Sequence, residues 1–403
     1  MKKKVAVIGA GASGLMAASI ASRSCDVTIF EKQKKIGRKL LATGNGRCNI
    51  SNVNISPDRY HGGNKDFVAK VFERFGLLQT EDFFRDLGVP FIEEEEGKLF
   101  PASLQSSTIT KFFEYELIKN SVDIKLHRRI DKIIPLRSGF KVITAGMEEF
   151  VFDSVIIACG SCAYPQLGAA KNVYDLVASL GHSIVEPFPS ITPINIKLKS
   201  LHKLQGIKWD CRLRALYDNR AIADSYGEVL FTAYGISGPA SLKISRWVNE
   251  ISLKGEHSFI EFDFFPELSV EELQSLLAVV TADPQKSIGF SLLGILKERM
   301  PDTLLACGGF DPLNKNFEVT KDLQKIAQLL KGFIAPVGKC RGFDEAVVAA
   351  GGVAVDEVNP LTMESRIIKN LYLTGEILDI DGDSGGFNLQ FAWSTGAIAG
   401  MSQ

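Results

Sequence analysis

The chain has 403 residues, enough for two or three domains and a sizeable core, so a staple-dependent mini-protein is excluded. Forty-six basic and 47 acidic side chains leave a net charge of -1, which makes nucleic acid an unexpected partner, and 36 glycines against 15 prolines fit an ordered α/β protein. Seven cysteines, an odd number spread over a long chain, are no secreted disulfide framework and point to a reducing cytoplasm.

Lys2, Lys3 and Lys4 precede an uncharged run from Val5 to Ser22 that has the outline of a signal peptide or a short span. Gly9, Gly11, Ser13, Gly14, Ser19 and Ser22 spoil its apolar character, and a second strand-like run follows directly. Val5–Gly9 reads as a buried strand, residues 13–22 as a small-residue helix and Val27–Glu31 as the next strand, which is a βαβ unit. No later stretch is apolar for long enough to span a bilayer, so no membrane is expected.

A helical region over 65–87, a solvated turn or hairpin at Glu93–Glu96 and a helix over 108–121 come next. Strands over 123–134, 139–144 and 154–158 and a helix over 173–180 close this part. From about Ser190 short alternating strands replace βαβ texture: ITPINIKL, RLRALYD and GEVLFTAYG. Helices are expected from Ser269, over IGFSLLGILKERM (288–300) and over KDLQKIAQLLKGF (321–333). After Val337 glycine-rich texture returns. The organisation expected is a first domain, 1–189, interrupted by an inserted β-rich and helical domain, 190–336, and completed by 337–403.

The chemistry begins at Gly9-Ala10-Gly11-Ala12-Ser13-Gly14, between a strand and a helix. Gly9 permits the turn, Gly11 admits a pyrophosphate to the backbone, and Gly14 lets the helix pack closely. Glu31, about 20 residues on, is placed to hold ribose hydroxyls, so the set reads as dinucleotide binding rather than a plain βα turn. Gly37–Asn52 follows, with Arg38, Lys39, Thr43, Gly46, Arg47 and Asn49 in a loop that reads as ligand-wrapping rather than as a mobile basic surface.

Together GAGASGL, GRKLLATGNGRCNISN, IIACGSCAYPQLG, AAGGVAVDEVNPLTMESR and LYLTGEILDIDGDSGGFNLQFAWSTGAIAG resemble, nearly end to end, the aminoacetone oxidase and BaiN-like family of FAD-dependent oxidoreductases. The resemblance implies a glutathione-reductase-like, Rossmann-type FAD-binding domain built from both chain ends, with an inserted β-barrel plus helical domain. It implies FAD contacts at Gly9, Gly11, Ser13, Gly14, Glu31, Lys32, Lys39, Thr43, Gly46, Arg47, Asn49, Gly160, Gly375, Glu376, Asp379, Gly386, Asn388 and Leu389. At Gly168–Asn172 the family's Thr-Gly-Asp-Gly type loop is replaced by GAAKN, a departure that touches substrate preference.

The C-terminal motif also has a reading of its own. Gly375-Glu376 closes an apolar strand, Gly385-Gly386 offers bare backbone, and a helix from about Asn388 points its positive end at the flavin N1 and O2 edge. Asp379, Asp381 and Asp383 lack the spacing of an EF-hand, and no paired zinc ligands stand out, so no metal is expected. Cys159-Gly160-Ser161-Cys162 allows a redox dithiol, but Ala163-Tyr164-Pro165 runs into a loop instead of opening a helix, and packing is the preferred reading. His61, His127, His182, His202 and His257 lie outside the glycine motifs and read as structural or exposed. GISGP at Gly235 lacks the spacing of a second nucleotide turn.

The expected activity is hydride transfer between FAD and a small molecule, either amine oxidation or reduction of an activated double bond. A flavin-binding protein that handles RNA or senses redox state is the alternative.

Overall fold

The computed structural model describes residues 2–169, 172–316, 318–339 and 341–403, and these form two compact units. One joins residues up to 188 with 347–403, and the other is 189–346. The first is built on the strands β1 (Lys4–Ile8), β2 (Asp26–Glu31), β3 (Tyr60–Gly62), β4 (Asp123–Leu126), β5 (Ser154–Ile157), β6 (Leu371–Leu373) and β7 (Ile380–Gly382), with the helices α1 (Ala12–Ala21) and α2 (Phe387–Met401).

A parallel five-stranded sheet runs in the order β6-β5-β1-β2-β4. β1 and β5 are buried on both faces and consequently read as continuous apolar runs. β6 arrives from the far end of the chain to pair with β5, so the sheet cannot be complete without the C-terminal segment. Between β4 and β5 the chain makes an antiparallel three-stranded sheet from Ile130–Pro135, Phe140–Thr144 and Glu149–Phe152. The Glu93–Glu96 run lies in a hairpin between Phe91–Glu94 and Lys98–Pro101.

α1 and α2 pack against each other, and both are buried almost all round. This is why neither shows an amphipathic face, and why the N-terminal run has the outline of a membrane segment. No helix among the described residues is long and apolar enough to cross a membrane. The approach is close because the facing residues have no side chains: a Cβ on Gly396 would lie 2.3 Å from the Ser13 carbonyl oxygen, and one on Gly400 2.7 Å from that of Ala17.

The second unit holds a six-stranded antiparallel sheet, in the order 194–195, 235–237, 220–232, 208–217, 259–263, 333–336. An antiparallel bridge between Ile196 and Val337 joins its two edges, flanked by hydrogen bonds from Lys197 N–H to Pro336 O (2.8 Å) and Gly338 N–H to Asn195 O (2.7 Å). The sheet is thereby a barrel. Along Lys208–Tyr217, Cys211, Leu213 and Ala215 point into the core while Arg212 and Arg214 point out. The unit therefore extends past the texture break at 337.

Ser269 caps the helix Val270–Val280 through a reciprocal box with Glu272. The helix expected over 288–300 is corrected to a short one, Ile288–Leu292, and a separate one, Met300–Cys307. Between them the Leu293 and Gly294 amides turn back three residues to Phe290 and Ser291. Arg299 then adopts φ 72° ahead of Pro301, which opens the second helix.

We expect Gly396→Val to destabilise the protein by about 3 kcal/mol, because overpacked cores lose about 1–3 kcal/mol and here the obstacle is backbone. Urea denaturation of variant and parent measures the difference.

Candidate cofactor and active site

Gly9 follows β1 with φ 105°, and a Cβ on Gly14 would sit 2.0 Å from the Gly9 carbonyl oxygen, so both positions are sterically restricted to glycine. Gly11 differs. A Cβ there would meet nothing within 4 Å, and its φ of -80° is open to any residue, so the fold does not require glycine. Gly11 is also the N-cap of α1, with no side-chain cap and no acidic residue in the first turn. A bare, positive helix end facing open space suits a pyrophosphate.

Glu31 closes β2 beside this turn. One carboxylate oxygen accepts the Ala10 amide at 2.9 Å and the other the Gln33 amide at 2.8 Å. Lys32 follows at the strand exit, half-buried.

The loop 37–52 is fastened to the C-terminal segment. Lys39 Nζ lies 2.7 Å from Glu376 Oε2, and Glu376 Oε1 accepts the Ala349 amide at 3.2 Å. Thr43 donates to Leu40 O at 2.7 Å and opens the tight turn that ends at Gly46, where a Cβ would again meet nothing within 4 Å. Ser51 donates to Gln390 at 2.6 Å, and Trp393 Nε1 donates to Ile50 O at 3.0 Å. These bonds hold Asn49 against α2, where its amide oxygen is buried without a hydrogen-bond partner. Arg47 is engaged within the chain: its guanidinium pairs with Glu94 at 2.8 Å and covers the Phe100 ring at 4.4 Å. Glu94 is thus an anchor rather than one more solvated charge of an acidic run.

Gly160 follows β5 with φ 70° and open space at its Cβ position. Thr374, whose hydroxyl is also buried and unpartnered, precedes Gly375, and Gly375 N–H donates to Thr395 at 2.9 Å. Asp379 is buried, its amide donating to Val353 O at 2.9 Å and its carbonyl accepting from Gly63 at 2.8 Å. Gly386, at φ 102°, is the N-cap of α2, again with no side-chain cap and no acid in the first turn. Asn388 spends its amide on Gly382, accepting at 2.8 Å and donating at 2.7 Å, which fixes the turn; Leu389 is half-buried in the first helical turn. Ala170 and Lys171 of the divergent loop lie outside the described residues.

Cys159 and Cys162 are free thiols. Cys159 donates to Ile8 O at 3.4 Å, burial pushes its thiol up to about 12, and burial pushes Cys162 up to about 11. Both are therefore protonated thiols at neutral pH, as is Cys48, pushed up to about 12 by burial. The six described cysteines are free.

Two histidine clusters are invisible in the sequence. His182 joins Ser365 (2.9 Å) and Glu357 (2.9 Å) in a Ser–His–Glu chain. Ser365 Oγ already accepts two amides, from Ile367 and Ile368, each at 3.0 Å, so the chain is a buried clamp and not a nucleophile. His61 meets Asp383 at 2.8 Å, because β3 pairs with β7. Among the described residues no three His, Cys, Asp or Glu side chains are grouped to hold a metal ion.

FAD fits this donor set. There are two uncapped helix N-termini for its anionic parts, a carboxylate at the end of β2, open backbone at Gly11, Gly46 and Gly160, and unpartnered buried oxygens on Asn49 and Thr374. The protein is an FAD-dependent oxidoreductase with a Rossmann-type cofactor domain.

Residues 3–402 match the family described as HI0933-like protein Rossmann domain, and the chain belongs to that family. It is 35% identical to the 3-dehydro-bile acid delta(4,6)-reductase of Clostridium scindens, over 99% of this chain and 98% of that one. It is 29% identical to the ribosomal RNA dihydrouridine synthase of Haemophilus influenzae, over 98% and 97%. Among solved structures, 3-ketosteroid delta1-dehydrogenase from Sterolibacterium denitrificans shares the fold, with a TM-score of 0.52 at 10% identity over 99% of each chain.

Gly11→Val is expected to fold normally, since neither φ nor neighbours oppose it, and to lose bound FAD. Thermal melting and the flavin absorbance of the purified variant check both halves. Glu31→Ala weakens FAD less severely, by about 1.5–3 kcal/mol for each hydrogen bond to the charged group. Dithionite titration is expected to end after about two electrons per FAD, with Cys159 and Cys162 adding none. About four electrons, falling to two in Cys162→Ser, would contradict the protonated-thiol assignment.

Proposed function

We propose that the protein reduces a carbon–carbon double bond conjugated to a carbonyl group in a small molecule. The observation that carries the flavin chemistry in this reading is the N-terminus of α2, and the reductase name of a relative carries the choice of substrate. The helix opens from Gly385–Gly386 with no side-chain cap and no acid, so it favours negative charge at that point, and a reduced flavin carries such charge at its N1 and O2 edge. When bound and reduced by a two-electron reductant, FAD would supply the hydride from N5.

The chain's own residues do the rest. In this reading Gly11, Ser13 and Gly14 receive the pyrophosphate and Gly9 shapes the turn. Glu31 takes the ribose hydroxyls with Lys32 beside it. Lys39, Glu376 and Asp379 hold the linker between sugar and ring. Thr43, Gly46, Arg47, Asn49, Gly160, Gly375, Gly386, Asn388 and Leu389 line the cofactor path. The unit formed by the two chain ends is then the FAD-binding domain, and 189–346 is the substrate-side domain.

A relative's name supports the choice of reaction. One relative is named as a delta(4,6)-reductase of a 3-dehydro-bile acid, a reduction at carbon–carbon double bonds. The balanced charge favours a small substrate over RNA, and two of the barrel arginines are paired, Arg212 with Asp224 at 2.8 Å and Arg214 with Glu261 at 2.7 Å.

The test is anaerobic mixing of the dithionite-reduced holoenzyme with a 4-en-3-one steroid, cyclohex-2-enone, or a uridine-containing RNA. Flavin reoxidation by an enone, with a product heavier by two hydrogens, is expected. Reoxidation by RNA alone would move the protein to the nucleic-acid reading. Reduction of the oxidised holoenzyme by amines, with no response to enones, would make it an amine oxidase.

A further inference from the structure

Gln33 carries no signal in the sequence, standing between Lys32 and Lys34 just past the end of β2, yet distant segments meet on it. Its amide donates to Glu31 Oε1 at 2.8 Å, the carboxylate oxygen that Ala10 does not use. Its carbonyl accepts the His127 amide at 3.2 Å, next to a bond from Arg128 N–H to Glu31 O at 2.9 Å, so the exits of β2 and β4 are clasped together. Its side-chain oxygen accepts from Arg38 Nη1 at 2.6 Å, at the start of the cofactor loop.

The last neighbour is Gly168, the first residue of the segment that departs from the family pattern. The tight turn Pro165–Leu167 ends there, with Gly168 N–H bonded to Pro165 O at 3.0 Å and φ at 107°. A Cβ on Gly168 would come within 2.7 Å of Gln33 Nε2 and 3.0 Å of its Cδ and Cγ, so bare glycine backbone lies against the carboxamide.

These contacts fix which way the carboxamide is turned. A guanidinium only donates, so the atom facing Arg38 is the oxygen and the NH2 is the end beside Gly168. Among the described residues that NH2 donates to no other group, and it is not closed off from solvent. An oriented donor with unspent hydrogens therefore stands two residues from the carboxylate placed for the ribose hydroxyls.

Resting on the reading of Glu31 as the ribose carboxylate, we infer that Gln33 is a further ligand of the adenosine half of FAD, its NH2 donating to an acceptor atom of the adenosine. The two side chains are complementary: Glu31 accepts from hydroxyls, and Gln33 supplies the donor that a carboxylate lacks. Arg38 acts through Gln33, as a positioning residue that keeps the amide the right way round. Gly168 is the seat of the carboxamide, so at this position the departing segment serves the cofactor and not the choice of substrate.

The test uses apo-protein prepared by removing FAD from the holoenzyme, and reads two affinities. FAD is followed by quenching of flavin fluorescence, and ADP, which carries the adenosine without the flavin, by titration calorimetry. Gln33→Met keeps the length of the side chain, adds no charge and removes the donor. We expect it to melt like the parent and to bind both FAD and ADP about 10-fold more weakly, by the same factor. Arg38→Met, which frees the amide to turn over, and Gly168→Ala, which drives a methyl into it, are expected to weaken both ligands in the same direction. Glu31→Ala is the control and weakens both on its own account.

Affinities for FAD and ADP that stay at the parental level in Gln33→Met, while Glu31→Ala lowers both, overturn the assignment of Gln33 and leave the ribose reading standing. A fall for FAD without one for ADP puts the contact off the adenosine and also overturns it. A Gly168→Ala protein with parental affinities and an altered KM for cyclohex-2-enone overturns the role of Gly168. ADP binding that is indifferent to Glu31→Ala removes the ribose reading, and the proposal with it.

Discussion

The near-contact of two helix backbones, α1 from the start of the chain and α2 from its end, governs the rest of the structure. Hydrogen in place of a side chain at Gly396 and Gly400 lets α2 lie on the carbonyls of Ser13 and Ala17. The same closeness puts Gly375 against Ser13, where a Cβ would come within 2.5 Å of the hydroxyl oxygen. Through it, one positive helix end at Gly11 and another at Gly386 become parts of one unit, although they lie far apart in the chain. A dinucleotide with an anionic middle and an electron-accepting ring is the ligand that such a pair of ends suits.

Everything around that contact serves to hold it. β6 pairs with β5, so the C-terminal segment is bound into the parallel sheet. Gln390 ties α2 to Ser51 at 2.6 Å and to Thr80 at 2.8 Å, and Lys39 reaches Glu376. The Gln390 links join distant segments in the buried core, where a lost partner leaves a buried group unpaired, so they specify the arrangement strongly, while the Lys39–Glu376 pair is partly exposed. The insertion of 189–346 interrupts the chain without interrupting this framework, because it closes a barrel of its own through Ile196 and Val337.

Local chemistry made much of this legible. The GAGASG turn, Glu31 and the Gly385–Gly386 helix start are short-range patterns, with one steric or electrostatic requirement at each position. The Ser269 box likewise announces a helix by its own hydrogen bonds. Long-range pairing was not legible. Nothing near Arg47 shows that Glu94 will take its guanidinium, and nothing near His61 shows that Asp383 lies across a strand pair. The 288–300 segment has helical spacing throughout, but its turn after Leu292 and the left-handed Arg299 depend on packing that periodicity cannot report. In the CGSC segment the preference for packing rested on a missing helix start, and burial of both thiols gives the same answer by a separate route.

The central claim is that the two bare helix ends receive the two halves of FAD. A crystal structure of the FAD-loaded protein tests it most directly. The pyrophosphate oxygens should lie within hydrogen-bonding distance, about 2.7–3.2 Å, of amides in the Gly11–Gly14 turn, with the N1 and O2 edge of the ring at the amides that follow Gly386. A cofactor bound with its pyrophosphate away from α1, or with its ring edge away from α2, would contradict the account.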